Sequence, residues 1–455
     1  RNLQRMQQKA DAAGVALRPH IKTHKSVWIA EQQRQLGARG ITVSKPSEGV
    51  AFVLGGARDV LLAYPVVHAA ALTELLQLAA QHQARITCIA DCAAGVSAIA
   101  AAHQQQPDCA LAIAIKVDVG LHRVGVDPHS DSALTLAQQI VASGLPFAGL
   151  ISHAGHAYAA GHATAIAEVA QQEIALMRDL QRRLLDAGFV PCPISVGSTP
   201  TALAAPVAAG SDEIRPGNYA LLDLTAWRLG LCEADALALT VVTRVVAVNP
   251  YYAIIDAGSK MLSSDKGPHG TNASGFGIAV DEHGHQYEVQ KLSEEHGFLT
   301  YGEHAPAVGA LLRIFPNHSC AVVAQSDRFV LRQADGSAGL HDIQGRGRDV
   351  SGLICRLPAP RRLHAAISDS DAHHSPTLTQ EGQYWKAKGP EGTVKIRFTP
   401  YNPFGVMDHW IDTGSGKEIY MPMRVIANEQ GAEVVMVVYR QPLMSDEKFA
   451  GDVAW

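Results

Sequence analysis

Between Leu17 and Asp223 short apolar runs alternate with amphipathic stretches, and that alternation constrains the fold more than any other feature of the chain. A strand followed by a helix that returns to a parallel neighbour is the unit such a pattern builds. The runs are GITVS (40–44), DVLLAY (59–64), RITCIAD (85–91), LAIAIKVDVG (111–120), FAGLISHAG (147–155), CPISVGST (192–199) and EIRPGNYALLD (213–223). With the RPHIK run near residue 18 they make about eight units, which predicts an α/β fold of the (β/α)8 TIM-barrel type over residues 1–228. Helices are expected between them, as at 71–81 and 163–187, the second ending at Gly188 as a helix C terminus does.

Past Leu224 the texture changes. Residues 235–335 read as all-β, with ALTVVTRVVAV, YYAIIDAG, ALLRIF, CAVVAQ and RFVLRQ set between Gly, Pro, Asn and Asp turns, so a β-rich domain is expected over 229–348. A polar stretch containing ISDSDAHHSPTLTQEGQ reads as a linker, 349–383. Its AHH at 372–374 is read as polar linker. β periodicity resumes over 384–455 in TVKIRFTP, EIYMPMRVIA and AEVVMVVYR.

Composition narrows the function. With 38 Lys and Arg against 43 Asp and Glu, the net charge of −5 offers no basic footprint for nucleic acid and no polybasic membrane signal, and a small-molecule partner is expected. No apolar run approaches the ~18 residues of a membrane span. Seven cysteines over this length fit a reducing, cytoplasmic compartment better than a disulfide framework. The C-x3-C pair Cys88 and Cys92 has no partner pair at zinc-ribbon spacing and reads as small core residues. The chain opens inside a helical pattern without an initiator Met, so it is read as lacking its beginning.

Chemistry concentrates at the strand ends, where a barrel of this type carries its active site. RPHIKTHK places Lys22 at the first of them, beside His20, His24 and Lys25. A lysine shielded from water loses its proton more readily and can form a Schiff base, although a basic strand end alone is more often a solvated rim. VDVGLHRVGV (117–126), SHAGHAY (152–158), SVGSTPT (195–201) and EIRPGNY (213–219) follow at later strand ends. In the β-rich part FPNHSC sets His318 two residues from Cys320. On a strand such a pair would share a face, and imidazole with thiolate suits Zn²⁺ better than Mg²⁺ or Ca²⁺.

These five barrel motifs, in one order, resemble the alanine-racemase-like, fold-type III pyridoxal phosphate enzymes. Within them they resemble the branch of D-serine dehydratase, D-threo-3-hydroxyaspartate dehydratase and D-threonine aldolase, over residues 1 to about 348. The resemblance implies Lys22 as the cofactor-bearing lysine and base at Cα, Arg123 facing the cofactor's phenolic oxygen, His153 against its ring, and Arg215 donating to the ring nitrogen. It implies a phosphate site at Gly197, Ser198, Thr199, Gly217 and Asn218, with Tyr158 and Tyr219 beside it. His318 and Cys320 would hold zinc, and Glu295 or His296 of SEEHG would help to shape the site. Aldolases of this branch tend to carry a carboxylate where Cys320 stands, so β-elimination from a D-3-hydroxy amino acid is expected. Retro-aldol cleavage and a non-catalytic pyridoxal phosphate protein are the alternatives. A homodimer is implied by analogy. Relatives begin with a strand ahead of the first helix, and its absence predicts an imperfectly closed barrel. Residues 384–455 resemble part of a START-like helix-grip module, with the beginning of its long C-terminal helix.

Overall fold

The strand-and-helix repeats build a curled parallel sheet with helices outside it, seen in a computed structural model. The described residues are 1–204, 210–267, 273–333, 336–346, 379–381, 384–389, 392–398, 409–412, 418–421, 423–428 and 431–436. The chain forms two compact units, 1–348 and 349–455.

In the first unit α1 (Asn2–Ala12) leads into β1 (Ala16–Leu17), then α2 (Val27–Gln35), β2 (Ile41–Val43), α3 (Pro46–Leu54), β3 (Asp59–Leu62), α4 (Thr73–Gln81), β4 (Arg85–Ala90) and α5 (Ala93–Gln105). The alternation continues with β5 (Ala110–Lys116), α6 (Ser132–Ala142), β6 (Phe147–Ile151), α7 (Ala163–Asp186), β7 (Ile194–Val196), α8 (Thr199–Ala204), β8 (Glu213–Ile214) and α9 (Leu224–Arg228). The eight strands pair in parallel in the order β1-β8-β7-β6-β5-β4-β3-β2. No strand precedes α1 among the described residues, yet the sheet has eight strands and its two ends meet, because RPHIK itself carries the first strand on toward β2. Pro19 has no N–H to give a ladder, which keeps β1 short. Beyond it the chain still meets β2: Ile21 N–H donates to Thr42 O at 2.9 Å, Thr42 N–H to Pro19 O at 2.8 Å, and Arg39 N–H to Leu17 O at 2.9 Å.

Strands buried on both faces read as unbroken apolar runs, as in Val60–Leu62 and Cys88–Ala90. Helix side chains such as Phe52, Leu75 and Leu76 cover the outer face, each fully buried large residue contributing roughly 1.5–3 kcal/mol. Gly49 lets α3 approach α4, since a Cβ there would lie 2.9 Å from Leu75 Cδ1. Polar anchorage is concentrated on Arg18, which donates to Asp59 Oδ1 at 2.6 Å and Glu213 Oε2 at 2.7 Å and so ties β1 to β3 and β8. Its side chain is 8% exposed. Arg18→Leu would leave the Asp59 carboxylate to Arg85 and that of Glu213 to Ser195 Oγ, and a loss of about 3–5 kcal/mol in urea unfolding is expected; a loss under ~1 kcal/mol would show the network to be dispensable.

The β-rich part follows as β9 (Val241–Val248), β10 (Ala253–Ile255), α10 (Ser259–Leu262), β11 (Gly277–Val280), β12 (Gln286–Leu292), β13 (Gly297–Thr300) and β14 (Leu311–Pro316). These strands close an antiparallel barrel, β10-β13-β12-β11-β14-β9. Along β9 the burial alternates, Val241, Thr243 and Val245 in and Val242, Arg244 and Val246 out, as a one-sided strand requires. CAVVAQ, expected as a strand, is instead the short helix α11 (Ser319–Val323). A brief apolar run does not distinguish the two by period, and the buried Asp223 carboxylate accepting Ser319 N–H at 2.9 Å starts the helical turn. The hairpin β15 (Arg328–Arg332) and β16 (Ala338–Asp342) then returns to the barrel, where His341 stacks on Phe329 and packs against Trp28 of α2 at a ring separation of 4.4 Å.

In the second unit β17 (Thr379–Glu381), β18 (Tyr384–Gly389), β19 (Gly392–Phe398), β20 (His409–Asp412) and β21 (Glu418–Met421) form an antiparallel sheet, and β22 (Met423–Asn428) with β23 (Gly431–Met436) a hairpin. The resumed β periodicity is thus in place. The expected C-terminal helix and most of the expected linker, including AHH, lie outside the described residues. Among the described residues no helix is long and apolar enough to cross a membrane.

Candidate active site

Lys22 sits half-buried in a turn directly after the first strand, closed by Lys25 N–H donating to Ile21 O at 2.8 Å. Lys25 leaves this turn in the left-handed region, φ 51°. Its carbonyl accepts Gly345 N–H at 2.8 Å from the segment following the β15–β16 hairpin. The turn is therefore clasped by the β-rich part of the same unit. Gly217 presses on it from the other side: a Cβ there would stand 2.8 Å from His20 O.

Around Lys22 the sheet gathers cationic and imidazole groups. His20 and His153 are both held far below the ordinary imidazole range, by burial first and by the charge of Lys22 next. His153 faces Gly197 O across 3.3 Å. Arg123 rides on a loop at the end of β5 that is closed by Val126 N–H to Lys116 O and Asp118 N–H to Val126 O, both 2.9 Å. Arg215, 5% exposed, donates to Ser152 O and Ser195 Oγ. Burial lowers its guanidinium to about 10, so it remains a protonated donor at neutral pH.

The ends of β7 and β8 form one polar cup. Thr199 Oγ1 accepts Gly217 N–H and Tyr219 N–H, each at 3.2 Å, while Thr201 Oγ1 accepts Ser198 N–H at 2.9 Å. Gly197 has φ 100°, and a Cβ there would meet only Thr201 Oγ1 at 3.7 Å and Arg215 N at 3.9 Å. This open cradle, ringed by buried hydroxyls and facing Arg215, fits the phosphorylated aldehyde that the motifs imply. Tyr158 joins the cup through Thr199; burial, then the charges of Asp223 and Cys320, raise its phenol well above the ordinary value. Asn218 donates to Asp223 Oδ2 at 2.7 Å. Tyr219 instead turns its hydroxyl toward α2, accepting from Gln33 Nε2 at 2.9 Å.

His318 and Cys320 are brought together, but not along a strand. His318 is the extended residue capping α11 and Cys320 lies in its first turn. Burial opposes charge on both. Yet the hydrogen bond and charge of Cys320, followed by the charge of Asp223, hold His318 up at about 9, and His318 brings the Cys320 thiol below its ordinary value. Asp265 Oδ2 lies 2.9 Å from His318 Nδ1, an arrangement that orients an imidazole and leaves its Nε2 for a ligand. Among the described residues no cluster of three His, Cys, Asp or Glu side chains stands ready for a metal. Together His318 and Cys320 would offer a metal an imidazole nitrogen and a sulfur, a donor pair that suits zinc with open positions. Glu295 is exposed and pairs with Lys260, and His296 is exposed as well. Cys88 is buried, as expected, with its thiol pushed up to about 12, whereas Cys92, expected in the core, is exposed, because it caps the N-terminal end of α5 at the surface.

Three buried polar residues of this site escape a reading of the sequence alone. Lys116 ends β5 with Nζ donating to Val117 O at 3.0 Å, and burial, then Arg215, lower it to about 7. A lysine closing an otherwise apolar strand is a visible signal. Glu173 on α7 accepts Ser152 Oγ at 2.6 Å and Gly197 N–H at 3.2 Å, and nothing in the long helix marks it out. Asp223 closes the run EIRPGNYALLD, where it reads as an ordinary turn residue.

Residues 1–223 match the alanine racemase N-terminal domain family, and residues 238–332 match the putative serine dehydratase domain family. The chain is 37% identical over 354 residues to D-threo-3-hydroxyaspartate dehydratase of Delftia sp. (strain HT23), covering 74% of this chain and 92% of that protein. It is 33% identical over 355 residues to D-threonine aldolase of Arthrobacter sp, covering 76% of this chain and 89% of the other. A solved D-threo-3-hydroxyaspartate dehydratase, a cysteine-to-alanine mutant in the metal-free form, superposes with TM-score 0.69 and 34% identity over 75% of this chain and 93% of that one.

Proposed function

The chain belongs to the alanine-racemase-like, fold-type III pyridoxal phosphate family that includes dehydratases and aldolases of D-hydroxy amino acids, and from that premise we propose that it eliminates the β-hydroxyl of a D-3-hydroxy amino acid. The carrying observation is the His318–Cys320 pair, an imidazole against a thiol that it lowers below the ordinary value, packed beside the turn of Lys22. When bound, pyridoxal phosphate acidifies the substrate Cα–H and zinc eases departure of the β-hydroxyl.

The residues of the chain supply the rest. Lys22 would carry the cofactor and, once released by substrate, take the Cα proton on Nζ. Arg215 keeps its own protons and would offer one N–H to the ring nitrogen, which stays unprotonated; the electron sink is then weak, and help at the leaving group is needed. Ser198, Thr199 and the Gly197 cradle would hold the phosphate, Arg123 would face the phenolic oxygen, and His153 would pack against the ring. His318 and Cys320 would hold the metal. Loss of the Cα proton and the β-hydroxyl as water leaves an enamine, which tautomerises and is hydrolysed to an oxo acid and ammonia. The reading extends to a homodimer, by analogy with the family, and to the cytoplasm, from unpaired cysteines among the described residues.

A panel of D-serine, D-threonine and D-threo-3-hydroxyaspartate, assayed together for ammonia and aldehyde, tests this. Ammonia release that is lost on zinc chelation and restored by Zn²⁺ is expected. Glycine with acetaldehyde from D-threonine and no ammonia would decide for retro-aldol cleavage. Turnover unaffected by complete zinc removal would remove the metal from the scheme.

A further inference from the structure

The turn that carries Lys22 also touches the sulfur of Cys320. Thr23, the next residue, is fully buried, and its Oγ1 lies 3.1 Å from Cys320 Sγ. A thiolate has no proton to give, so the hydroxyl must be the donor in that state. Each of the two metal-ligating side chains then has its own polar support: Asp265 behind His318, Thr23 behind Cys320. They differ in reach. Asp265 lies in a loop of the β-rich part beside the ligand it orients, whereas Thr23 belongs to the barrel and shares a peptide bond with Lys22. Gly217 approaches on the other side, where a Cβ would stand 3.4 Å from Thr23 Oγ1.

We infer that Thr23 is a positioning residue whose hydroxyl fixes the Cys320 thiolate for the metal and links the metal site to the turn of Lys22. This rests on the reading of His318 and Cys320 as zinc ligands. Charge-assisted hydrogen bonds to a ligating atom set its orientation and donor strength, and losing such a partner typically weakens metal binding about 10–100-fold. Valine keeps the shape of threonine and removes the donor, while serine keeps the donor and removes a methyl group.

The test compares wild type, Thr23→Val and Thr23→Ser as cofactor-loaded proteins, with folding checked by circular dichroism. Zn²⁺ affinity is measured by competition with a chromophoric chelator, and the thiolate-to-metal band is recorded after loading with Co²⁺. Thr23→Val is expected to bind Zn²⁺ about 10–100-fold more weakly and to shift the Co²⁺ band, with Thr23→Ser close to wild type in both. If Thr23→Val binds Zn²⁺ as tightly as wild type with the same Co²⁺ band, the positioning role is overturned and the metal reading stands. If wild type itself takes up no Zn²⁺, the metal reading and the role of Thr23 fall together.

Discussion

Replacing Lys22 with Ala is expected to lower ammonia release from the best substrate of the panel by at least ~100-fold, the lower range of what a positioned base contributes. The same variant should lose the visible absorbance of cofactor held through the lysine amine. Neither neighbouring imidazole is a ready substitute. His20 and His153, which both feel the charge of Lys22, are held well below the ordinary imidazole range, so both are weak bases. Lys116, lowered to about 7, has its Nζ held toward Val117 O just past β5, at 3.0 Å. Because the polar cup of Thr199, Thr201 and Gly217 draws on no atom of Lys22, cofactor should still be retained non-covalently. Small primary amines added to the assay should restore part of the rate. A loss of activity well short of that ~100-fold would show that another group takes the proton.

How much of this site is legible in the sequence depends on where each residue stands. The barrel can be read because each strand is a closed apolar run ending in a distinctive polar motif; Lys22, His153, Gly197 and Arg215 all sit at those ends. Its closure is harder to see, since Pro19 hides in RPHIK the continuation of a strand that hydrogen-bonds on both sides of it. The pairing of His318 with Cys320 is anticipated, but for the wrong geometry. Two residues apart suits a strand, but a capping residue and the first turn of a helix also bring such side chains together, and Asp223, distant in sequence, sets that turn. Glu173 and Asp223 cannot be singled out from a linear reading, because their importance lies in burial and in partners from other elements.

Lys116 carries the other large effect, on stability. The residue is 7% exposed, and its amine is lowered from 10.5 to about 7, by burial first and by Arg215 and Arg123, against the opposing charges of Glu173 and Asp118. In the unfolded chain the same amine titrates near the ordinary lysine value. Below about pH 7 both states hold the proton and the folded state bears the full cost of a charged, buried amine. That cost is on the order of 5 kcal/mol, taking about 1.4 kcal/mol for each tenfold loss of proton affinity. Between about pH 7 and 10.5 the folded state has released the proton and the unfolded state has not, so unfolding takes up one proton and stability rises with pH. Above that window both are neutral and the cost is gone. Lys116→Met removes the titrating group while keeping a long side chain in the core. In urea unfolding of the cofactor-free protein at matched ionic strength, the variant is expected to exceed wild type in stability at about pH 6, below the folded-state titration, and the gap should close as pH rises toward about 10. A gap that does not change with pH would mean that Lys116 titrates in the folded protein as it does in the unfolded chain, and that the charges of Arg123 and Arg215 reach the site without displacing its proton.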